Sequence, residues 1–366
     1  MKIDYEVFSL ENGLKVLLIP SNTTYSANIT AIIKSGQALE DKKTHGLTHF
    51  VEHVALAATE KWPSKQHLNE TTEFNGANID GGTSKESLYY YINIPYNKVP
   101  FGIEFIYQVL YKSTFANEYI EQERTIILDE IAKREDNPWS QQVRATRNLL
   151  FKNKTAYGNE IGGTKERVQG FTRKDLVNHY KLVHDPSKVL LSVVGNFKKE
   201  ESKKLVNKYF KDLKSYHKPL ELPQEEINEA KVVVRKNKKT DLVLNSINFK
   251  GLSYKKVDQK TIVTLGLVNT LASGPMSSRL KNRLREKEGL LYGIWDNEIT
   301  FEKHGLLGFE YSISKENCVK ALNILLEELQ KLYDKGVTEK ELKHYKEYLY
   351  NRTLIHYDNI YSYSTL

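Results

Sequence analysis

The sequence predicts an α+β protein made of two similar-looking halves, each an antiparallel-rich mixed sheet covered by helices, the second half shorter than the first. Three observations predict it. A length of 366 residues suits two domains at roughly 100–200 residues each. Short alternating apolar runs are interleaved with longer runs of helical spacing, the pattern of strands paired under a helical layer. The order of those runs partly repeats after a charged, Pro-containing stretch at 216–229. The expected organisation is therefore a domain over 1–215, a linker over 216–229 and a second domain over 230–366.

The first half opens with a hairpin from Val7 to Ile19 around Glu11-Asn12-Gly13, followed by an alternating strand from Ser26 to Ser35 that is expected beside it in one antiparallel sheet. A helix follows from about Gly46 to Ala58. Trp62-Pro63 breaks the chain, and Ser64 is placed to cap a second helix reaching Phe74. Gly76 to Thr83 and Leu88 to Ile94 read as strands. Helical spacing then runs from Gly102 to Glu135 with an interruption near Phe115-Ala116-Asn117, which gives two helices. Thr172 to His184 is a further helix, and the β-branched run Val189 to Val194, ending in Gly195, is a buried strand. In the second half, strands are expected at Lys231 to Val234, Leu242 to Phe249, Tyr292 to Phe301 and Leu306 to Ser312. Helices are expected at Gln259 to Leu271, Ser277 to Glu286, Ser314 to Asp334 and Thr338 to Arg352.

Composition excludes several classes. Hydrophobic residues at 40%, charged residues at 27% and a mean hydropathy of -0.54 describe a globular rather than a disordered chain. No apolar run approaches the 18 or so residues of a membrane span. The acids at Asp4 and Glu6 interrupt what a secretory signal would keep basic and then apolar, so a cytoplasmic protein is expected. The net charge of +8 does not imply nucleic-acid or membrane binding. Basic runs such as Lys198-Lys199-Glu200-Glu201-Ser202-Lys203-Lys204 contain acids, and Arg235-Lys236-Asn237-Lys238-Lys239 reads as an exposed turn. A single cysteine, Cys318, excludes an internal disulfide framework and a cysteine-based zinc ribbon, so any metal must sit on histidine and carboxylate.

Such a set occurs at His49-Phe50-Val51-Glu52-His53. Positions i, i+3 and i+4 share one helix face, so two imidazoles can chelate an ion while the carboxylate between them reaches a water on it. A catalytic zinc wants three protein ligands and an open position. The later helix around Glu121 to Glu130 supplies two acids, Glu123 and Glu130, seven residues and nearly two turns apart. Seventy-six residues separate His53 from Glu130.

This H-x-x-E-H, that interval, and the two acids resemble the M16 metallopeptidases, the pitrilysin, insulysin and mitochondrial processing peptidase group, whose domains have the LuxS/MPP-like fold. The likeness extends to Gly46-Leu47-Thr48, Leu128-Asp129-Glu130-Ile131, Gly158 to Thr164 and Val193-Val194-Gly195-Asn196. In the second half, Ser277-Ser278-Arg279-Leu280 and the segment Leu284 to Tyr292 are similar to the stretch carrying the family's Arg and Tyr pair, which falls on Arg285 and Tyr292. The resemblance implies one zinc per chain, held by His49, His53 and Glu130. It implies Glu52 as the base that takes a proton from water on the metal, and Glu123 as an acid orienting a ligand or the water. Arg285 would hold substrate, and Tyr292 would donate to the developing oxyanion.

The family binds peptide as an added strand at a sheet edge. The matching segment contains Asn78, Asp80, Gly81, Gly82 and Thr83, and Asp80-Gly81-Gly82 stands where the family usually shows Asn-Ala and one further residue before the threonine. Glycine weakens strand order, and an acid at Asp80 would favour cationic substrate residues. His45, one turn before His49, is the other histidine worth checking against the site. The resemblance implies a zinc endopeptidase working as a homodimer, or as a heterodimer with another M16-like subunit. The alternatives are a non-catalytic scaffold or partner subunit, and a maturation protease for a small ribosomal peptide.

Overall fold

The computed structural model describes residues 4–151, 156–216, 221–222, 232, 234 and 241–356. The linker expected at 216–229, the strand at 231–234 and the basic run at 235–239 lie largely outside these residues. The described residues form two compact units: 4–133, 156–216 and 221–222 in the first, and 134–151, 232, 234 and 241–356 in the second. Among the described residues no helix is long and apolar enough to cross a membrane.

The first unit is a mixed six-stranded sheet with helices packed on it. Its strands are β1 (Glu6–Ser9), β2 (Lys15–Pro20), β3 (Ser26–Ile33), β4 (Asn78–Thr83), β5 (Leu88–Pro95) and β6 (Val189–Gly195), in spatial order β1-β2-β6-β3-β5-β4. The hairpin and the strand after it are therefore not neighbours, contrary to the expectation. β6 inserts between them, parallel to β2 and antiparallel to β3. The physical reason is burial. β6 is buried nearly throughout, and a strand apolar on both faces belongs in the middle of a sheet rather than at its edge.

Register carries the core across the sheet. Ile29 of β3 lies opposite Val193 on one side and Ile92 on the other, and Ala31 lies opposite Leu191 and Tyr90. These side chains are fully buried, and each large one contributes roughly 1.5–3 kcal/mol by leaving water. They pack with apolar residues of α1 (Leu47–Ala55), α3 (Val99–Tyr111), α7 (Arg173–Val183) and α8 (Lys199–Phe210). Lys198 to Lys204, read from sequence only as charged surface, is the start of α8, with Val206 and Phe210 turned into this core. Two further helices, α2 (Lys65–Phe74) and α4 (Asn117–Asp136), carry site residues. Ser64 caps α2 by accepting the His67 N–H at 3.1 Å.

Helix α1 is started by a close approach of two glycines. Gly46 has φ +93° and Gly163 has φ +73°, and a Cβ on Gly46 would stand 2.7 Å from Gly163 Cα. The atom it would meet belongs to backbone, so no side chain can swing aside. Gly46→Ala is expected to destabilise the protein by at least about 2 kcal/mol, from the left-handed backbone and the clash together. Urea unfolding measures it, and an unchanged midpoint would refute the packing argument.

The second unit holds β7 (Val243–Lys250), β8 (Ile294–Asp296), β9 (Ile299–Thr300) and β10 (Gly305–Ile313), ordered β7-β10-β8 with β9 also on β10. The long strand expected from Tyr292 to Phe301 is thus two short ones. Residues 134–151 group here although they precede the expected boundary. They contain a helix that sequence reading missed, α5 (Pro138–Leu150), capped by Asn137, which accepts the N–H groups of Trp139 and Ser140. Trp139 stacks edge-on with Trp295 at 6.3 Å, and Phe151 lies 6.2 Å from His304. Also missed was the short α6 (Lys165–Gly170) of the first unit. The remaining helices of the second unit are α9 (Gln259–Ser273), α10 (Arg279–Lys281), α11 (Cys318–Lys335) and α12 (Glu339–His356). Asn282–Lys287 continues α10 as a π-helical turn.

Candidate metal centre

Helix α1 buries Leu47, Phe50, Val51, Val54 and Ala55, and this apolar stripe fixes its rotation. His49, Glu52 and His53 fall on the remaining stripe. Gly46 offers the helix no side-chain cap. Glu40 supplies one instead: Oε2 accepts the Gly46 N–H at 2.8 Å and Oε1 the Thr48 N–H at 2.7 Å, a carboxylate at the positive end of the helix. Burial pushes the Glu40 carboxyl up to about 7 despite these bonds. Sequence reading missed Glu40 because it lies in a loop outside the helical pattern.

Glu130 of α4 meets this stripe. His49 Nε2 lies 3.7 Å from Glu130 Oε2 and His53 Nε2 3.8 Å from Glu130 Oε1. One donor atom from each of His49, His53 and Glu130 lies within 4.8 Å of the others. Three donors around a tetrahedral zinc at about 2.1 Å stand roughly 3.4 Å apart. The set therefore fits such an ion after small side-chain adjustments. Two imidazoles and one carboxylate are also the donor types that suit it.

The surrounding groups orient this set. His53 Nδ1 lies 3.0 Å from Glu123 Oε2. A carboxylate accepts, so Nδ1 carries the hydrogen and Nε2 is left toward Glu130. The other Glu123 oxygen accepts from Lys65 Nζ at 2.6 Å, and Lys65 N donates to Tyr119 Oη at 3.2 Å. Tyr119 and Glu123, one turn apart on α4, thus grip both ends of Lys65. Burial works to raise the Glu123 carboxyl, but His53 and Lys65 overcome it and hold it below its usual range. Lys65 was not singled out from sequence, since nothing local connects the start of α2 to α4.

Glu52 is 8% exposed. Burial raises its carboxyl, opposed by His53 and by Thr83, whose hydroxyl donates to Glu52 Oε2 at 2.8 Å. Burial lowers His53, yet Glu123, Glu52 and Glu130 carry it above its ordinary value.

β4, the end strand of its sheet, pairs along its whole length with β5, from Asn78 opposite Asn93 to Thr83 opposite Leu88. Both glycines sit in close quarters. A Cβ on Gly82 would fall 2.4 Å from the Tyr89 hydroxyl, and one on Gly81 3.0 Å from Tyr90 Cδ1 and 3.2 Å from Leu56 Cδ1. Side chains alternate along a strand, so Gly81 and Thr83 share one face while Asn78, Asp80 and Gly82 share the other. Asn78 and Asp80 are exposed. His45 takes no place in the cluster, as its Nε2 bonds to Glu160 O at 2.6 Å. Arg285 and Tyr292 belong to the second unit, the guanidinium 4.9 Å from the centre of the Tyr292 ring and Tyr292 80% exposed. Arg285 also lies 3.5 Å from Glu286, and Glu288 pairs with Arg283 and Lys320.

An α+β fold with a helix-borne His-x-x-Glu-His and a convergent glutamate defines a class that known proteins share. The family described as "Insulinase (Peptidase family M16)" matches residues 15–165, and "Peptidase M16 inactive domain" matches residues 170–349. The chain belongs to the M16 peptidase family. It is 28% identical over 346 residues to "Uncharacterized zinc protease YmxG" of Bacillus subtilis, covering 93% of this chain and 81% of that protein. It is 30% identical over 212 residues to "Mitochondrial-processing peptidase subunit beta" of Bos taurus, covering 58% and 43%. A protease from Helicobacter pylori superposes with a TM-score of 0.89 at 19% identity, over 100% of this chain and 88% of that one, a likeness of fold.

Proposed function

We propose that the chain is a zinc-dependent endopeptidase acting on peptides or unfolded segments, with one zinc per chain on His49, His53 and Glu130. The observation that carries this reading is the convergence of those three donor sets within 4.8 Å, two from α1 and one from α4. Zinc bound there would polarise a peptide carbonyl and acidify water. Glu52 sits on the same helix stripe, where burial raises its carboxyl, and it is placed to take a proton and later return it to the leaving amine. Glu123 fixes the His53 ring.

The outer edge of β4 is the docking strand in this reading, with Asn78, Asp80, Gly81 and Gly82 nearest the peptide. Opposite charges directly across a ladder attract, so a Lys or Arg facing Asp80 is favoured. Arg285 anchors substrate and Tyr292 donates to the developing oxyanion. One relative is named as a subunit, and this chain is proposed to work in a pair, with a copy of itself or another M16-like chain. The test is zinc content together with hydrolysis of unstructured peptides by the purified chain, with light scattering for its assembly. Stoichiometric zinc and chelator-sensitive cleavage are expected. A chain that holds zinc at these residues yet cleaves nothing would be a scaffold or partner subunit.

A further inference from the structure

We propose that Thr83 is a positioning residue for Glu52 rather than a substrate contact. This rests on the peptidase reading above and goes further, because it makes the docking strand itself the element that aims the base. Thr83 lies at the end of β4 opposite Leu88, and its hydroxyl donates to Glu52 Oε2 at 2.8 Å. With Glu52 buried, one carboxylate oxygen is held by β4, and among the described residues the other accepts no hydrogen bond and can take the proton.

A second feature supports the arrangement. Gly81, two residues earlier on the same face, sits where a Cβ would press 3.2 Å from Leu56 Cδ1, and Leu56 caps the end of the helix bearing Glu52. The small residue lets α1 and β4 approach closely, and the hydroxyl then spans from strand to helix. A donor on the strand rather than on the helix ties the direction of Glu52 to the order of β4. Peptide adding to the edge would therefore steady the base as it binds.

The experiment compares wild type, Thr83→Val, Thr83→Ser, Glu52→Gln and Glu52→Gln/Thr83→Val for zinc content, kcat, KM and melting temperature. Thr83→Val removes the donor at nearly constant volume. It is expected to lower kcat by about ten- to a hundredfold with KM and zinc content unchanged, the signature of an interaction used in turnover rather than in ground-state binding. Thr83→Ser should recover kcat to within about threefold of wild type. In the Glu52→Gln background the valine should change turnover less than twofold, since residues acting through one another are not additive. A raised KM with unchanged kcat would return Thr83 to substrate contact and overturn the inference. So would loss of zinc, a fall in melting temperature that serine fails to restore, or equal effects in both backgrounds. A wild type without zinc or turnover rejects the peptidase reading, and this inference falls with it.

Discussion

Glu52→Gln is expected to keep its zinc and lose about a hundred- to ten-thousandfold in kcat, the range over which a positioned general base contributes. The amide is nearly isosteric, and its oxygen can still accept from Thr83, which donates to Glu52 Oε2 at 2.8 Å. What it cannot do is take a proton. The donor atoms of His49, His53 and Glu130 are untouched, so the metal should remain. Zinc analysis and steady-state hydrolysis on the same preparation separate the two effects. Equal turnover in variant and wild type would remove Glu52 as the base.

His53→Ala is expected to empty the metal site. It takes away one of three donors and, with it, the imidazole that Glu123 holds at 3.0 Å. Glu123 would then be a buried carboxylate with Lys65 as its remaining cationic partner. Zinc content after dialysis should fall close to zero and hydrolysis with it. Glu123→Gln should instead weaken zinc about 10–100-fold, the usual effect of removing a partner that orients a ligand. A His53→Ala protein that retains wild-type zinc would place the ion elsewhere.

Much of this arrangement was legible in the sequence because it is local. A helix period of 3.6 puts His49, Glu52 and His53 on one stripe whatever surrounds them. The β-branched run of β6, the cap at Ser64 and the interruption near Phe115 declared themselves in the same way; Phe115 has a φ of 50° where α3 and α4 are separated. Strand order was not legible. The alternation of β2 and β3 fits either neighbour, and the choice of β6 as their shared partner depends on a strand that arrives some 150 residues later. Helix α5 escaped because its mixed polar sequence carries no fully buried apolar stripe, and its partners in the second unit are distant in the chain.

The glycines of β4 show the same division. From sequence, Gly81 and Gly82 are weak strand formers. In the fold, the Tyr89 hydroxyl stands where a side chain on Gly82 would begin, and Tyr90 and Leu56 close on Gly81. Glu40 and Lys65 are a loop acid and a first-turn lysine in sequence. Only their placement makes one the cap of α1 and the other the partner of Glu123.

Sequence by itself determined which residue types could hold a metal and that three of them share a helix face, since chemistry and helical period are properties of the chain alone. Tertiary structure decided that Glu130 meets them, which carboxylate oxygen faces which imidazole, and that Thr83 reaches Glu52. Those are distances between segments far apart in the chain, and packing rather than local pattern sets them.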